Sequence, residues 1–322
     1  MAKRRGRVLI PVLAGLLVAA GVVTFVLREP SPVGHFRSAE GYDRFGAAYE
    51  RAMAELPKPE RVIDLRTSFG VVRLYRWTGT GTGNPPVVLL PGTSASTPMW
   101  ADNLPSLLEV GDVYALDMIG EPGRSVQERP ITSGADQARW LDEALAQLPE
   151  ERVILFGVSL GGWNVMNHVV HRTGKVAGAV VLDPATTFND LPLSVILRSI
   201  PVALPFAPKS WRDDFNSWTA NGAPVEDVPV ADLIEVGMQS YAKQLPSPAR
   251  FPAEQLAAID VPILVIMAGR SVMHDSAEAA RVAEQTLRHG TVKLYPEASH
   301  AINGEYPQEI ADDLAAFAKG LR

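Results

Sequence analysis

The strongest constraint on the fold of this chain is a short apolar strand, a tight turn and a helix that follow one another directly. Residues 152–158 form a run that is apolar after Arg152 and contains three β-branched residues, which is typical of a buried strand. Gly157-Val158-Ser159-Leu160-Gly161-Gly162 then predicts a turn too sharp for side chains at its glycines, and a helix is expected over Leu160–His171. Such a turn exposes the Ser159 hydroxyl at the end of the sheet. The pattern therefore predicts that Ser159 is a nucleophile.

Short apolar strands alternate with helices along most of the chain beyond residue 60. Continuous apolar strands in this alternation predict a mostly parallel central sheet with helices on both faces. The expected core comprises residues 61–184 and 261–322, preceded by a linker and an amphipathic N-terminal helix at residues 29–60. Residues 185–260 break the alternation and contain several prolines and tryptophans. We expect them to form a helical lid over the carboxyl ends of the strands.

The N-terminal residues indicate a membrane-spanning segment. Basic residues at positions 3–7 precede an apolar run at residues 8–27, which is long enough to cross a bilayer as a helix. Basic residues before such a run keep the N-terminus in the cytoplasm. Residues 1–28 are therefore predicted to be a single-pass anchor in the cell membrane, with the rest of the chain extracytoplasmic. A cleaved signal peptide is the alternative, although the run is longer than most signal sequences contain.

Charge and cysteine content exclude several classes of function. The formal net charge is -6 at pH 7, so the chain lacks the basic field that attracts nucleic acid, and no nucleic acid partner is expected. The sequence contains no cysteine, which excludes disulfides, a thiol nucleophile and a cysteine-ligated metal.

A serine hydroxyl becomes a good nucleophile only when a base accepts its proton and an acid orients that base. His300 lies on a loop between the last predicted strand and the last helix, at the same sheet edge as Ser159, and is the expected base. Two aspartates are placed to orient it. Asp275 follows the penultimate strand through a short loop, and Asp183 directly follows another buried strand. Asp275 is preferred and Asp183 is the alternative, although Asp275 also precedes a helix that it could cap.

The oxyanion of a tetrahedral intermediate needs two preorganised N–H donors. The Leu160 amide at the start of the helix is expected to be one of them. The loop after strand Val87–Leu90 is expected to provide the other through the Thr93 amide, because Gly92 lets the backbone approach the site. Three further side chains are expected to line an acyl pocket: Met99, Trp100 and Trp163.

Together these motifs resemble the α/β-hydrolase fold family over roughly residues 62–322. Within that family the chain is similar to bacterial carboxylesterases of the naproxen esterase type. The likeness rests on the Gly-x-Ser-x-Gly turn, Thr97-Pro98-Met99-Trp100, Asp183-Pro184-Ala185-Thr186-Thr187-Phe188 and Ala298-Ser299-His300. The resemblance implies a serine hydrolase without cofactor or metal, which cleaves small, apolar carboxylic esters through an acyl-enzyme.

The sequence departs from the family pattern at two positions. Pro91-Gly92 stands where the family usually has His-Gly, and Val272 stands where the family usually places its acid. The acid is therefore expected at Asp275 or Asp183. Two other functions stay open at this point: an amidase or peptidase using the same three residues, and a non-catalytic binding protein with a hydrolase fold.

Overall fold

The computed structural model describes residues 31–204 and 206–321. The predicted anchor at residues 1–28 lies outside these ranges and stays a prediction. Within them, every helix is too short or too polar to cross a bilayer. The chain from Val33 onward groups into one compact unit.

A nine-stranded sheet forms the centre of the described chain. The strands of that chain are β1 (His35–Phe36), β2 (Arg61–Thr67), β3 (Gly70–Trp77), β4 (Val87–Leu90), β5 (Val113–Leu116), β6 (Val126–Gln127), β7 (Val153–Val158), β8 (Val176–Leu182), β9 (Tyr241–Ala242), β10 (Ile263–Ala268) and β11 (Gly290–Tyr295). The order in the sheet is β11-β10-β8-β7-β4-β5-β3-β2, and β6 pairs with β3. The strands from β11 through β5 are parallel, whereas β2, β3 and β6 add antiparallel pairs at one side. The predicted mostly parallel sheet is confirmed.

Helices cover both faces of this sheet. The helices of the described chain are α1 (Ala39–Met53), α2 (Leu104–Val110), α3 (Gly134–Ala146), α4 (Leu160–His171), α5 (Leu193–Val202), α6 (Lys209–Thr219), α7 (Pro229–Ser240), α8 (Ala253–Ala257), α9 (Ser276–Thr286), α10 (Ile302–Glu305) and α11 (Pro307–Lys319). Side chains of α3, α4 and α9 enter one apolar core, and those of α1, α2 and α11 enter the other. Successive strand residues point to opposite faces, so Val88 joins the first core and Leu89 the second. This explains why the central strands are apolar at every position.

The strand order changes direction between β4 and β7. From β4 the chain proceeds outward through β5, and it returns on the other side of β4 to form β7 and then β8. Such a switch point leaves a crevice at the carboxyl ends of the two central strands, where ligands bind in open α/β sheets. The loops after β4, β7, β8 and β11 all end at that edge. These loops carry the residues that the sequence singles out.

Several element boundaries differ from the sequence expectation for local reasons. The helix expected at residues 101–110 begins at Leu104, because Thr97–Trp100 forms a separate 3₁₀ turn. The penultimate strand begins at Ile263 rather than at residue 261, since Pro262 has no N–H to contribute to the ladder. The last strand is longer than the expected residues 292–294, because β11 pairs with β10 over its whole length.

The segment predicted as a lid contains α5, α6, α7, β9 and α8. A buried ion pair joins two of its helices: Arg212 on α6 donates to both carboxylate oxygens of Glu235 on α7, at 2.7 and 2.5 Å. The segment also contacts the N-terminal region, because α7 packs on α1 and β9 pairs antiparallel with β1. We call residues 185–260 the cap from here on; the boundaries of the cap and of the core remain predictions.

Candidate active site

The turn between β7 and α4 holds Ser159 in a strained backbone conformation. Its φ of 52° and ψ of -117° lie in a region that non-glycine residues rarely adopt and that costs on the order of 1–3 kcal/mol. The neighbouring glycines allow the turn to form: a Cβ on Gly157 would lie 2.4 Å from the carbonyl carbon of Gly161. A Cβ on Gly161 would lie 2.1 Å from the carbonyl oxygen of Leu90. The backbone is therefore packed too closely for side chains at these two positions.

Three side chains from separate loops meet at this turn in a line of hydrogen bonds. The Ser159 hydroxyl lies 2.9 Å from His300 Nε2, and His300 Nδ1 lies 2.6 Å from Asp183 Oδ2. A carboxylate can only accept, so Nδ1 carries the proton and Nε2 is left to accept the serine proton. The His300 side chain keeps a small exposed fraction, whereas Asp183 is fully buried. This is the arrangement that a serine nucleophile, its base and an orienting acid require.

The preference for Asp275 as the orienting acid is wrong in this geometry. Asp275 is exposed and caps α9, its side chain accepting the Glu278 N–H at 3.0 Å. The preceding residue, His274, is buried, and its ring points inward to the site. The alternative, Asp183, occupies the position beside His300.

The Asp183 carboxylate accepts hydrogen bonds on both oxygens. Oδ1 accepts from the Ala268 N–H at 3.0 Å and from His274 Nε2 at 2.8 Å. Oδ2 accepts from Ser271 Oγ at 2.6 Å, in addition to His300. Burial by itself raises the pKa of Asp183, but the contacts with His274 and His300 outweigh burial and hold this pKa well below its usual value. The acid is therefore ionised and fixed in orientation.

Nothing in the sequence indicates that Ser271 and His274 hold the Asp183 carboxylate. Both lie on the loop after β10, the loop in which the family usually carries its acid. The side chains of this loop instead donate to an aspartate on the neighbouring strand end. A useful sequence signal is the combination of Val272, which cannot act as an acid, with Asp183 at the end of β8.

The loop after β4 lies beside the nucleophile. A Cβ on Gly92 would lie 3.8 Å from Ser159 Cβ, so the backbone at Gly92 and Thr93 runs next to Ser159. Leu160 is the first residue of α4, and the amides of the first helical turn have no partner within the helix. Their positions are those expected for two oxyanion donors, and the assignment of Thr93 and Leu160 to that role stays a prediction.

Two buried acids brace the loop after β4. Ser94 and Ser96 both have positive φ, so this loop needs external support. Asp117 accepts the Thr97 N–H at 2.8 Å, and Glu121 accepts the Ser94 N–H at 2.7 Å. Both acids follow β5; the sequence predicts a loop-shaping role for Asp117, whereas nothing in it signals a role for Glu121. These two hydrogen bonds hold the backbone of the loop in place.

A lysine of the cap contacts the same loop. Lys243 Nζ lies 2.6 Å from the Thr93 hydroxyl and 3.6 Å from a carboxylate oxygen of Glu121. The cap also reaches the other side of the site. There the backbone N–H of His300 donates to the backbone carbonyl of Thr219, at the end of α6, at 3.3 Å. The cap is thus hydrogen-bonded both to the loop after β4 and to the loop that carries His300.

The three side chains expected in an acyl pocket have different surroundings. Trp100 is fully buried and packs edge-on against Phe156, so it belongs to the core and offers no accessible surface to a ligand. Trp163 stacks on Phe251 and donates its Nε1–H to the Ala249 carbonyl at 2.9 Å, which attaches α4 to the cap. The expectation is therefore wrong for Trp100, and Trp163 has a packing role.

Met99 is the remaining candidate for a pocket residue. It is partly exposed, its sulfur accepts the Gly92 N–H at 3.1 Å, and its terminal methyl group lies near Gly92. Its position beside the oxyanion loop suits contact with an acyl group, and this assignment stays a prediction.

Comparisons with known proteins agree with this geometry. The sequence profile of the alpha/beta hydrolase family matches residues 87–313. An uncharacterised carboxylesterase, nap, of Bacillus subtilis strain 168 is 27% identical over 282 residues, which cover 85% of this chain and 92% of that protein.

Solved structures share the fold. The structure of naproxen esterase (carboxylesterase NP) from Bacillus subtilis superposes with a TM-score of 0.79 at 23% identity, covering 87% of this chain and 99% of that one. The structure of a membrane phospholipase A, a bacterial virulence factor, gives a TM-score of 0.66 at 20% identity, covering 98% of this chain and 99% of that one. At these identities, the two likenesses show a common fold.

Proposed function

Because the chain belongs to the alpha/beta hydrolase family, we propose that it is a serine hydrolase that cleaves carboxylic esters through an acyl-enzyme. The observation that carries this proposal is the line of hydrogen bonds from Ser159 through His300 to the buried, ionised Asp183. The carboxylesterases among the similar proteins support esters as the substrate class.

In the first step, Ser159 Oγ attacks the acyl carbon while its proton passes to His300 Nε2. The carbonyl oxygen becomes an oxyanion, which the amides of Leu160 and Thr93 stabilise. Collapse of the tetrahedral intermediate breaks the bond to the alcohol oxygen, which takes the proton from Nε2 and leaves. A water molecule then gives its proton to His300 and attacks the acyl-enzyme, and the second collapse returns the proton to Ser159 and releases the carboxylic acid.

Asp183 contributes without exchanging a proton. It accepts the Nδ1–H of His300 at 2.6 Å, which fixes the ring and selects the tautomer whose Nε2 faces Ser159 as an acceptor. When His300 becomes an imidazolium, the adjacent negative charge stabilises it. Since Ala268, Ser271 and His274 also hold the carboxylate, it cannot turn away from the base between the two steps.

A comparison of esters with amides tests the substrate class. We expect p-nitrophenyl esters to be hydrolysed with kcat/KM about 100-fold or more above matched p-nitroanilides, equivalent to ~2.7 kcal/mol in the transition state. The physical reason is that a phenolate leaves without full protonation, whereas an anilide must receive the proton from His300. Equal or better cleavage of anilides would favour an amidase or peptidase, and no cleavage of either class would favour a non-catalytic binding protein. A series of acyl chains in the same assay would define the acyl specificity.

The proposal includes attachment to the cell membrane through residues 1–28, with the hydrolase domain outside the cytoplasm. The basic residues before the apolar run at residues 8–27 support both the attachment and its orientation. We expect the full chain to remain with the membrane fraction after a high-salt wash, with its first residues still present on N-terminal sequencing. A soluble protein that begins near residue 30 would contradict the anchor and favour a cleaved signal peptide.

A further inference from the structure

The cap carries an apolar surface that the described chain leaves uncovered. Of the eleven large hydrophobic side chains that are exposed in the described residues, six lie between positions 193 and 211. We call these six the cap face: Leu193, Ile196, Leu197, Ile200, Phe206 and Trp211. Phe206 is 71% exposed and Leu193 is 68% exposed, which is far above the usual exposure of such residues. Contiguous apolar surface of this kind on a soluble domain marks a binding site.

The sequence of α5 places four of these side chains on one side of the helix. Leu193, Ile196, Leu197 and Ile200 follow the spacing i, i+3, i+4, i+7, so they form a continuous stripe. Val195 and Val202 are buried and attach the opposite side of the helix to the protein. A surface cavity of about 360 Å³ continues the stripe towards α6, and Leu197, Pro201, Trp211 and Phe215 are among its lining residues. The helix is therefore apolar on its outward side as well as on the side that packs against the protein.

The cations near the cap face already have partners, whereas Asp214, an exposed carboxylate, lines the cavity beside it. Lys209 binds Asp213 at 2.7 Å, and Arg212 is buried against Glu235. Arg198 lies over the ring of Trp218, with its guanidinium carbon 4.6 Å from the ring centroid. A polyanionic partner would need free cations, so the cap face is suited to an uncharged, apolar partner.

The residues before the described part of the chain indicate which apolar partner lies close enough to contact the cap face. The apolar run ends at Leu27, and Val33 already belongs to the described domain. The intervening residues 28–32 span at most roughly 20 Å when fully extended. If residues 8–27 cross the bilayer as proposed above, the chain tethers the domain at the bilayer surface. The bilayer surface is then always close to the domain, at a high effective concentration.

We propose that the cap face inserts into the apolar boundary of a lipid bilayer and thereby presents the active site to esters dissolved in the membrane. This inference rests on the proposed esterase function and on the anchor. Burial of the stripe in lipid removes apolar area from water, as in interfacial amphipathic helices. The backbone carbonyl of Thr219, at the end of α6, accepts the backbone N–H of His300. This hydrogen bond connects the cap to the loop of the proposed base. Docking therefore places the part of the cap that contacts His300 at the source of substrate.

Fluorescence quenching on the full chain tests the docking directly. Because the chain has no cysteine, Ile200→Cys and the control Val62→Cys, each exposed, can be labelled at a single site with an environment-sensitive fluorophore. In phosphatidylcholine vesicles that contain a nitroxide lipid, we expect strong quenching and a blue shift at position 200, and neither at position 62. Equal responses at both positions, or a response at position 200 only when anionic lipid is present, would overturn the proposal. Homodimer cross-linking through position 200 without lipid quenching would also overturn it.

Kinetics separate the docking from the underlying hydrolase activity. For Leu197→Gln combined with Ile200→Gln, we expect hydrolysis of a short, soluble p-nitrophenyl ester to stay within about twofold, while hydrolysis of a lipid ester in vesicles falls about tenfold or more. The matched control is Val62→Gln combined with Leu294→Gln, which removes exposed apolar side chains elsewhere and should leave both rates unchanged. If the cap-face double variant lost activity equally on both substrates, or on neither, the result would contradict docking. A wild-type chain that is inactive on the soluble ester would instead contradict the proposed function.

Discussion

Replacement of Asp183 with Asn is expected to lower kcat for a soluble p-nitrophenyl ester by about 10⁴, while Asp275→Asn stays within a few-fold of the wild type. The loss arises because an amide at position 183 can donate to His300 Nδ1, which places the proton on Nε2, where it blocks proton transfer from Ser159. The Asp275 side chain caps α9 and makes no contact with His300, so its replacement leaves the base unchanged.

Stability measurements separate the two variants further. Asp275→Asn keeps a good capping residue, so its free energy of unfolding should change by only a few tenths of a kcal/mol. Circular dichroism and thermal unfolding of Asp183→Asn establish whether the variant is folded, since the buried carboxylate also accepts from Ala268, Ser271 and His274. A folded Asp183→Asn with wild-type kcat, or an Asp275→Asn that loses most of its kcat, would contradict the assignment.

Replacement of Ser159 with Ala is expected to lower kcat by about 10⁶, down to the residual rate that binding and the oxyanion donors provide. The variant lacks the hydroxyl oxygen that is proposed to form the acyl-enzyme. The substitution removes only this atom, so the backbone should stay close to that of the wild type. Substrate binding should persist, so a non-hydrolysable ester analogue should bind the variant and the wild type with similar Kd. Steady-state kinetics and titration calorimetry provide the two measurements.

The matched control for Ser159→Ala is Ser68→Ala. Ser68 lies in the exposed turn between β2 and β3, where its hydroxyl binds Glu143, so its removal should leave kcat and KM unchanged. If Ser159→Ala kept substantial activity, another nucleophile would have to be present and the proposed acyl-enzyme at Ser159 would be wrong.

The prediction of the fold, and the proposals for Ser159 and His300, depend on local signals. Apolar strands alternating with helices predict the parallel sheet, and the glycines around Ser159 identify the turn on which it lies. His300 was predictable since a loop between the last strand and the last helix must end at the same sheet edge. Each of these inferences depends on residues that are close together in the sequence.

The acid was not predicted correctly because its identity depends on contacts between distant loops. Asp183 and Asp275 both stand near the end of a strand, and sequence spacing does not distinguish them. The distinction arises from packing: α9 begins at Ser276 and uses Asp275 as its cap, so the buried side of this loop presents His274 instead. The same limitation applies to Trp100, whose burial against Phe156 depends on how the 3₁₀ turn packs on β7.

Support for the oxyanion loop also comes from residues far away in sequence. Glu121 reaches Ser94 from the loop after β5, and Lys243 reaches Thr93 from the cap. The cap face was harder to predict because an apolar helix in sequence is normally buried, and only the packing of α5 shows which side is exposed. Local patterns thus predict Ser159 and His300 as site residues, whereas tertiary packing determines which aspartate lies beside His300 and what surrounds the site.

Covalent labelling by a fluorophosphonate most directly tests the claim that Ser159, His300 and Asp183 act together. The reagent is attacked by an activated serine, and mass spectrometry identifies the modified residue. We predict one adduct at Ser159, formed at similar rates in the wild type and in Asp275→Asn and orders of magnitude more slowly in Asp183→Asn. Labelling of another residue, or slow labelling in Asp275→Asn with rapid labelling in Asp183→Asn, would contradict the account.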